Sequence, residues 1–244
     1  MKFCNDDNRV EVKKMEGIKK EDLRTCRMAV FDLDGTLVDS LQDLSDSANR
    51  TLESYGFPLH TVQEYRYFVG NGSGKLIERC LPKEKSKNSD FVREALLRYK
   101  EIYAKHSLDK TKPYEEVMAM LEKLRSLGIP LGVCTNKHQS AAEYMVERLF
   151  PSQIFSVVLG DTQGQPLKPD PVKILRMAEH FCVSPREVAY FGDSGVDMDT
   201  AKNGGFLSVG VLWGLRPREE LEKHGAQVLL SHPMELFEKI RFEK

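Results

Sequence analysis

Short apolar runs recur along the chain, and each stops abruptly at polar or small residues. Met28-Ala29-Val30-Phe31 ends at Asp32, and similar runs cover Ile129 to Cys134, Phe155 to Leu159, Val188 to Phe191 and Phe206 to Leu212. Unbroken apolar runs, rather than strict alternation, suit strands buried on both faces of a parallel sheet. Between the runs the apolar spacing becomes helical. Val117, Met120, Leu121, Leu124 and Leu127 share one helical face, and Gly128 stands where a C-cap would. Asp170-Pro171 reads as an N-cap and first helical residue ahead of Ile174, Leu175 and Ala178. Ser184-Pro185-Arg186-Glu187 has capping-box spacing. Strands alternating with helices predict an α/β fold: a Rossmann-like parallel sheet core with helices on both faces and right-handed crossovers.

One stretch breaks the alternation. From Leu41 to about Lys110 no strand pattern occurs. Leu41, Leu44, Ala48 and Leu52 mark one amphipathic helix, and Phe91 to Tyr103, with Ala95, Leu96, Tyr99 and Ile102, marks another. The pattern predicts a core of 28–40 and 111–244, interrupted after its first strand by a small all-helical cap domain over 41–110. Hinges are expected near Asp39-Ser40 and near Lys110 to Pro113. Met1 to Arg27 is rich in Lys, Glu and Asp and lacks the apolar run of a secretory signal. It reads as a polar N-terminal extension, with a native start at Met15 or Met28 as the accompanying expectation.

Composition narrows the function classes. The 244 residues include 36 Lys or Arg and 37 Asp or Glu, for a formal net charge of −1. Proteins that bind nucleic acid through bulk charge are strongly basic, so no nucleic-acid partner is expected. No run of about 18 apolar residues occurs, so no membrane-spanning helix is expected. Cys4, Cys26, Cys80, Cys134 and Cys182 are scattered, odd in number and form no CxxC pair. That usage fits reduced thiols in the cytoplasm. The histidines lack metal-ligand spacing, and no Gly-x-Ser-x-Gly elbow occurs. Gly70-Asn71-Gly72-Ser73-Gly74-Lys75 invites a phosphate-loop reading. Val69 stands where that loop needs Gly, however, and Leu76 where it needs Ser or Thr. The segment instead reads as a cap loop, with Gly70, Asn71 and Lys75 as candidates for touching a substrate.

The chemistry-bearing residues fall where apolar runs end. Asp32-Leu33-Asp34-Gly35-Thr36-Leu37-Val38-Asp39-Ser40 follows the first run, and Thr135-Asn136 the second. Lys168-Pro169-Asp170-Pro171 precedes a capped helix, and Gly192-Asp193-Ser194-Gly195-Val196-Asp197 follows Val188 to Phe191. Taken singly, each has an ordinary explanation as a cap, a turn or a solvated charge. In an open parallel sheet, however, strand exits converge on one edge, where ligands bind. Paired carboxylates, a lysine and a threonine at such an edge suit phosphoryl transfer, which needs a nucleophile, an acid/base and positive charge on the phosphoryl oxygens. Asp32, Asp34, Asp193 and Asp197 would repel one another, and a hard cation, Mg²⁺ beside phosphate, relieves that. Thr135 and the amides after it offer donors at a helix N-terminus.

These motifs resemble the haloacid dehalogenase superfamily from Met28 to the C-terminus. The resemblance implies Asp32 as the nucleophile that is phosphorylated and Asp34 as the general acid/base. It implies Thr135, Asn136 and Lys168 as phosphate-binding groups. It further implies Mg²⁺ held by Asp32, the backbone carbonyl of Asp34, Asp193 and Asp197. Asp34 favours phosphate chemistry over dehalogenation. Val69 to Gly72, Glu78-Arg79 and Leu215-Arg216-Pro217 through Gly225-Ala226 are similar to phosphoglycolate phosphatase sequences, as is Asp39 to Leu44, which usually carries Pro where Gln42 stands. That similarity implies a small phosphorylated metabolite, 2-phosphoglycolate, as substrate, and a monomer or homodimer. A phosphosugar mutase or pyrophosphatase on the same core is the alternative, and a phosphoaspartate signalling module the remote one.

Overall fold

The computed structural model describes residues 24–244. Its central sheet has six parallel strands: β1 (Met28–Phe31), β2 (Leu131–His138), β3 (Val157–Asp161), β4 (Val188–Gly192), β5 (Leu207–Val211) and β6 (Val228–Leu230). Their spatial order is β3-β2-β1-β4-β5-β6, the doubly wound order in which the chain builds outward one way, then returns to the centre and builds the other way. β1 pairs with β2 through Ala29↔Leu131 and with β4 through Ala29↔Ala189. It is therefore covered on both edges and both faces. Met28 and Val30 belong to one apolar cluster, with Ile174, Met177, Tyr190 and Phe206. Ala29 and Phe31 belong to the other, with Val117, Leu121, Leu124 and Phe191. This two-sided burial is why the run is apolar at every position. The Phe31 and Phe191 rings stack with centroids 4.6 Å apart.

Eleven helices are described. Five lie in the interruption: α1 (Leu41–Glu53), α2 (Val62–Phe68), α3 (Gly72–Cys80), α4 (Lys83–Ser86) and α5 (Ser89–His106). The core carries α6 (Val117–Ser126), α7 (Gln139–Leu149), α8 (Val172–His180), α9 (Gly195–Gly204), α10 (Arg218–Lys223) and α11 (Leu236–Lys239). The two crossings between core and helical insert lie side by side, because Val38–Asp39 pairs antiparallel with Lys112–Pro113. Buried Asp43, at the start of α1, fastens them by accepting from the backbone N–H groups of Lys110 and Thr111 and from the Thr111 hydroxyl. Among the described residues no helix is long and apolar enough to cross a membrane.

Four sequence expectations need correction. The polar extension does not run to Arg27: Thr25–Cys26 pairs with Arg241–Phe242, and the Cys26 side chain is fully buried. A chain starting at Met28 would lose that ladder. The rest of the expected extension, with Cys4 and Met15, lies outside the described residues. Leu127 is exposed, because α6 ends at Ser126 and turns through Gly128 at φ +75. Ser184 to Glu187 caps a single 3₁₀ turn rather than a helix. Thr135 and Asn136 do not start a helix. β2 runs on through them with a register shift between Cys134 and His138, and α7 begins only at Gln139.

Candidate active site

The crevice opens where β1 and β4 leave the sheet, the point at which the strand order reverses. Asp32 follows β1, and its N–H donates to Phe191 O at 2.8 Å. Asp193 follows β4. The loop after Asp32 has to fold back tightly over that carboxylate. Gly35 does so at φ +84, where a Cβ would overlap the Asp193 carboxylate. Thr36 Oγ1 and the Leu215 N–H donate to opposite oxygens of Asp193, at 3.3 and 2.8 Å. Gly214 also packs on Asp193, with no room for a side chain.

Asp32, Asp193 and Asp197 each bring a carboxylate oxygen within 4.8 Å of the others. Lys168 Nζ lies 2.8 Å from Asp32 Oδ1 and 2.6 Å from Asp197 Oδ1. The Asp32 contact is outside hydrogen-bond geometry, so that buried oxygen has no hydrogen-bond partner among the described residues. Asp197 is saturated by contrast. Its Oδ1 accepts from Lys168 and the Tyr190 hydroxyl, and its Oδ2 from the Ser194 hydroxyl and N–H. Four donors fill the lone-pair sites of one carboxylate, so Asp197 anchors the lysine. Burial pushes the Asp32 carboxyl up to about 6, with Lys168 opposing and Asp197 adding to the shift. Burial, then repulsion from Asp197 and Asp32, pushes Asp193 up to about 8. Burial alone would lower Lys168, but Asp197 and Asp32 more than offset it and hold the ammonium above its ordinary range.

Asp34 has its own set of partners. Its Oδ1 accepts from Ser40 Oγ at 2.5 Å, and Lys137 Nζ reaches Oδ1 and Oδ2 at 2.9 and 3.0 Å. Lys137 also donates to the hydroxyl of Tyr103 on α5, at 2.7 Å. Four carboxylates thus face two ammonium groups, leaving a formal charge of −2 that one divalent cation cancels. The crowded oxygens, an Asp32 Oδ1 whose one partner is the Lys168 ammonium, and the raised Asp193 suit a hard cation with oxygen ligands.

A cavity of about 240 Å³ lies between this edge and the helical insert. Asp32, Asp34, Thr135 and Lys137 wall it from the core, with Gly70 and Tyr103 opposite. Not every predicted residue reaches it in the expected way. Thr135 and Asn136 both line it and are buried, but the Asn136 side-chain amide is already committed to backbone partners. Asn136 Nδ2 donates to Gly70 O and Lys168 O, and Oδ1 accepts from the Lys168 N–H, so it braces the two loops. Asn71 and Lys75 do not line the cavity. Asn71 Oδ1 accepts from Arg79 at 2.8 Å, and Lys75 is exposed and pairs with Glu78. A local i, i+3 partner and open water hold Lys75 on the outer side of α3. Two arginines tie the insert to the core reciprocally. Arg66 donates to Gly214 O and Leu215 O, and Arg216 to Val69 O. Lys137, Tyr103, Tyr190 and Gly214 carry no motif signal of their own, whereas Leu215 opens a segment that the resemblance marks. Lys137 alone could have been suspected, from its place directly after Thr135-Asn136.

The haloacid dehalogenase-like hydrolase family model matches residues 29–211. The phosphoglycolate phosphatase of Neisseria meningitidis is 37% identical over 186 residues, covering 75% of this chain and 79% of the relative. That of Aquifex aeolicus is 31% identical over 215 residues, covering 86% and 94%. A crystal structure from Lactobacillus delbrueckii subsp. bulgaricus superposes with a TM-score of 0.81 at 30% identity, covering 88% of this chain and 98% of that one. With the doubly wound core, the strand-exit carboxylates and these relatives together, the chain belongs to the haloacid dehalogenase-like hydrolases and is an enzyme similar to phosphoglycolate phosphatases.

Proposed function

We propose that the enzyme is a cytoplasmic phosphatase that hydrolyses 2-phosphoglycolate to glycolate and phosphate, with Mg²⁺ and through an aspartyl-phosphate on Asp32. The carrying observation is that Asp32, buried and paired with Lys168, lines the cavity that Asp34 also lines. The names of the relatives at 37% and 31% identity support the substrate, and buried, free Cys26, Cys80 and Cys134 agree with a reducing compartment.

In this reading an Asp32 oxygen bonds to phosphorus as the ester P–O bond breaks, and a proton from Asp34 goes to the leaving oxygen. Water then attacks the same phosphorus and gives a proton to Asp34, and the bond to Asp32 breaks, which leaves Asp32 a free carboxylate and Asp34 protonated, as each began. Lys168 and Thr135 hold the phosphoryl oxygens. Ser40 and Lys137 orient Asp34. Mg²⁺, when bound, neutralises the cluster and the charge on the transferring group. Asp32, Asp193 and the Asp34 carbonyl would hold it, with Asp197 completing the acidic set and anchoring Lys168. The insert over the cavity keeps bulk water from the transfer.

Phosphate release from a panel of small esters with Mg²⁺ tests this. The highest kcat/KM is expected on 2-phosphoglycolate. Release from none removes the phosphatase reading, whereas strong turnover of other esters alone removes only the substrate. A second measurement addresses the metal. An acid whose folded pKa is raised costs nothing below its unfolded pKa of 3.8, where both states are protonated. For Asp32, raised to about 6, and Asp193, raised to about 8, stability is lost as pH climbs from 3.8 through those values. The chelated protein therefore loses stability from pH 3.8 up to about pH 8, and the Tm rise on adding Mg²⁺ should be larger at pH 8 than at pH 5.5. At Mg²⁺ about 100 times its Kd the gain is about 2.7 kcal/mol, about 5–10 °C in Tm. A Tm indifferent to Mg²⁺ at pH 8 would remove the metal from the site.

A further inference from the structure

Lys137 is nearly buried, with only 6% of its side chain exposed, and it lines the catalytic cavity. Its three donors go to the two oxygens of Asp34 and to the Tyr103 hydroxyl, and the ammonium lies 4.7 Å from the Tyr103 ring centroid. In the transfer chemistry Lys137 only orients Asp34, a task that Ser40 shares. The phosphoryl group is served by Lys168, which pairs with Asp32 and Asp197. The leaving group, however, carries charge of its own. In 2-phosphoglycolate one methylene separates the ester oxygen from the carboxylate. An acid/base that touches the ester oxygen therefore has the substrate carboxylate as its immediate neighbour, and a cation that recognises that carboxylate has to sit beside the acid/base.

The cavity offers two lysines among its described lining residues, Lys100 and Lys137. Lys100 is exposed on α5. Neither Arg66 nor Arg216 lines the cavity: Arg66 is held by two core carbonyls, and Arg216, held by Val69 O and Glu220, keeps one buried nitrogen without a hydrogen-bond partner among the described residues. Lys137 is the cation that is both desolvated and in contact with Asp34. Resting on the phosphoglycolate reading, we propose that Lys137 is the specificity-determining residue for the substrate carboxylate. In the free enzyme Asp34 stands in as its counter-ion. When substrate enters, the substrate carboxylate takes over one of those contacts, and Asp34, released from its ion pair, takes up a proton from solvent and turns to the ester oxygen. Tyr103 fixes the ammonium from the insert side, so the subsite is complete only with the insert in place. Asn71 and Lys75, the residues the sequence pointed to for this task, face away from it.

The test compares kcat/KM for 2-phosphoglycolate, ethyl phosphate (a methyl in place of the carboxylate) and phosphoethanolamine (an ammonium there) in the full-length protein with Mg²⁺. The wild type should favour 2-phosphoglycolate over ethyl phosphate by about 100-fold, the scale of a buried charge pair. Lys137→Met should lower turnover of all three by loosening Asp34 and, beyond that common loss, bring the ratio within about threefold of unity and raise phosphoethanolamine relative to 2-phosphoglycolate. Lys137→Arg keeps a counter-ion for Asp34 but changes the donor geometry, and should lower the ratio about tenfold. A purely structural lysine would lower all three substrates alike, and a ratio unchanged in either variant overturns the assignment. A wild type without preference for 2-phosphoglycolate instead removes the substrate reading, and the assignment with it.

Discussion

Asp32→Asn should leave a folded protein with turnover reduced by at least about 10⁴-fold, the scale of losing a covalent nucleophile from a catalytic unit. The amide is nearly isosteric, so Lys168 keeps Asp197 and the loop geometry around Gly35 is untouched. It is, however, no nucleophile toward phosphorus, and no acyl phosphate can form. The fold should not suffer either. Asp32 is one of three carboxylates crowded within 4.8 Å, and burial pushes its carboxyl up to about 6. Above pH 6 the wild type therefore carries a charge the site disfavours, and a neutral amide relieves it. In chelator at pH 8 the variant's Tm should equal or exceed that of the wild type. Trapping should separate the two halves of the mechanism: brief incubation of wild type with ³²P-labelled substrate and acid quenching leaves label on the protein, and Asp32→Asn leaves none. Near-normal turnover in the variant would remove Asp32 as nucleophile.

The sheet was legible where burial is two-sided. Met28–Phe31 matches its apolar run residue for residue, and Val188–Gly192 and Leu207–Val211 lie within a residue of theirs. Val228–Leu230 was not, because three residues at a sheet edge carry no period. β2 was read too short, since the run stops at Cys134 while the ladder continues to His138↔Asp161. Side-chain polarity changes there because the strand enters the site, and the backbone does not. The same logic explains the site. Residues at strand exits (Asp32, Asp193) could be placed from sequence because parallel strands deliver them to one edge. Lys137 meets Tyr103, 34 positions away, and Tyr190 meets Asp197 across a turn. Such pairs exist only once helix and sheet are packed, and a tyrosine in an apolar strand reads as core.

Lys168→Met should damage stability and turnover together, and in a way that Asp32→Asn partly reverses. The ammonium is 3% exposed and lies between two carboxylates at 2.6 and 2.8 Å. Removing it leaves Asp32 and Asp197 buried without their cation, a change that costs about 3–5 kcal/mol. For a chain of this size that lowers Tm by about 6–20 °C. Asp197 keeps Tyr190 and Ser194 as donors, so the larger share of the strain falls on Asp32, whose Oδ1 already lacks a hydrogen bond. The double variant Asp32→Asn/Lys168→Met should therefore be more stable than Lys168→Met alone. A double-mutant cycle should give a coupling of about 1–3 kcal/mol, in the range found for residues in one charged network. Turnover of Lys168→Met should fall about 10²–10³-fold, because the charge that meets the transferring phosphoryl oxygens is gone. Additive losses, or a Lys168→Met protein as stable as wild type, would mean that the lysine does not bridge the carboxylates in solution and that the phosphoryl oxygens meet another cation.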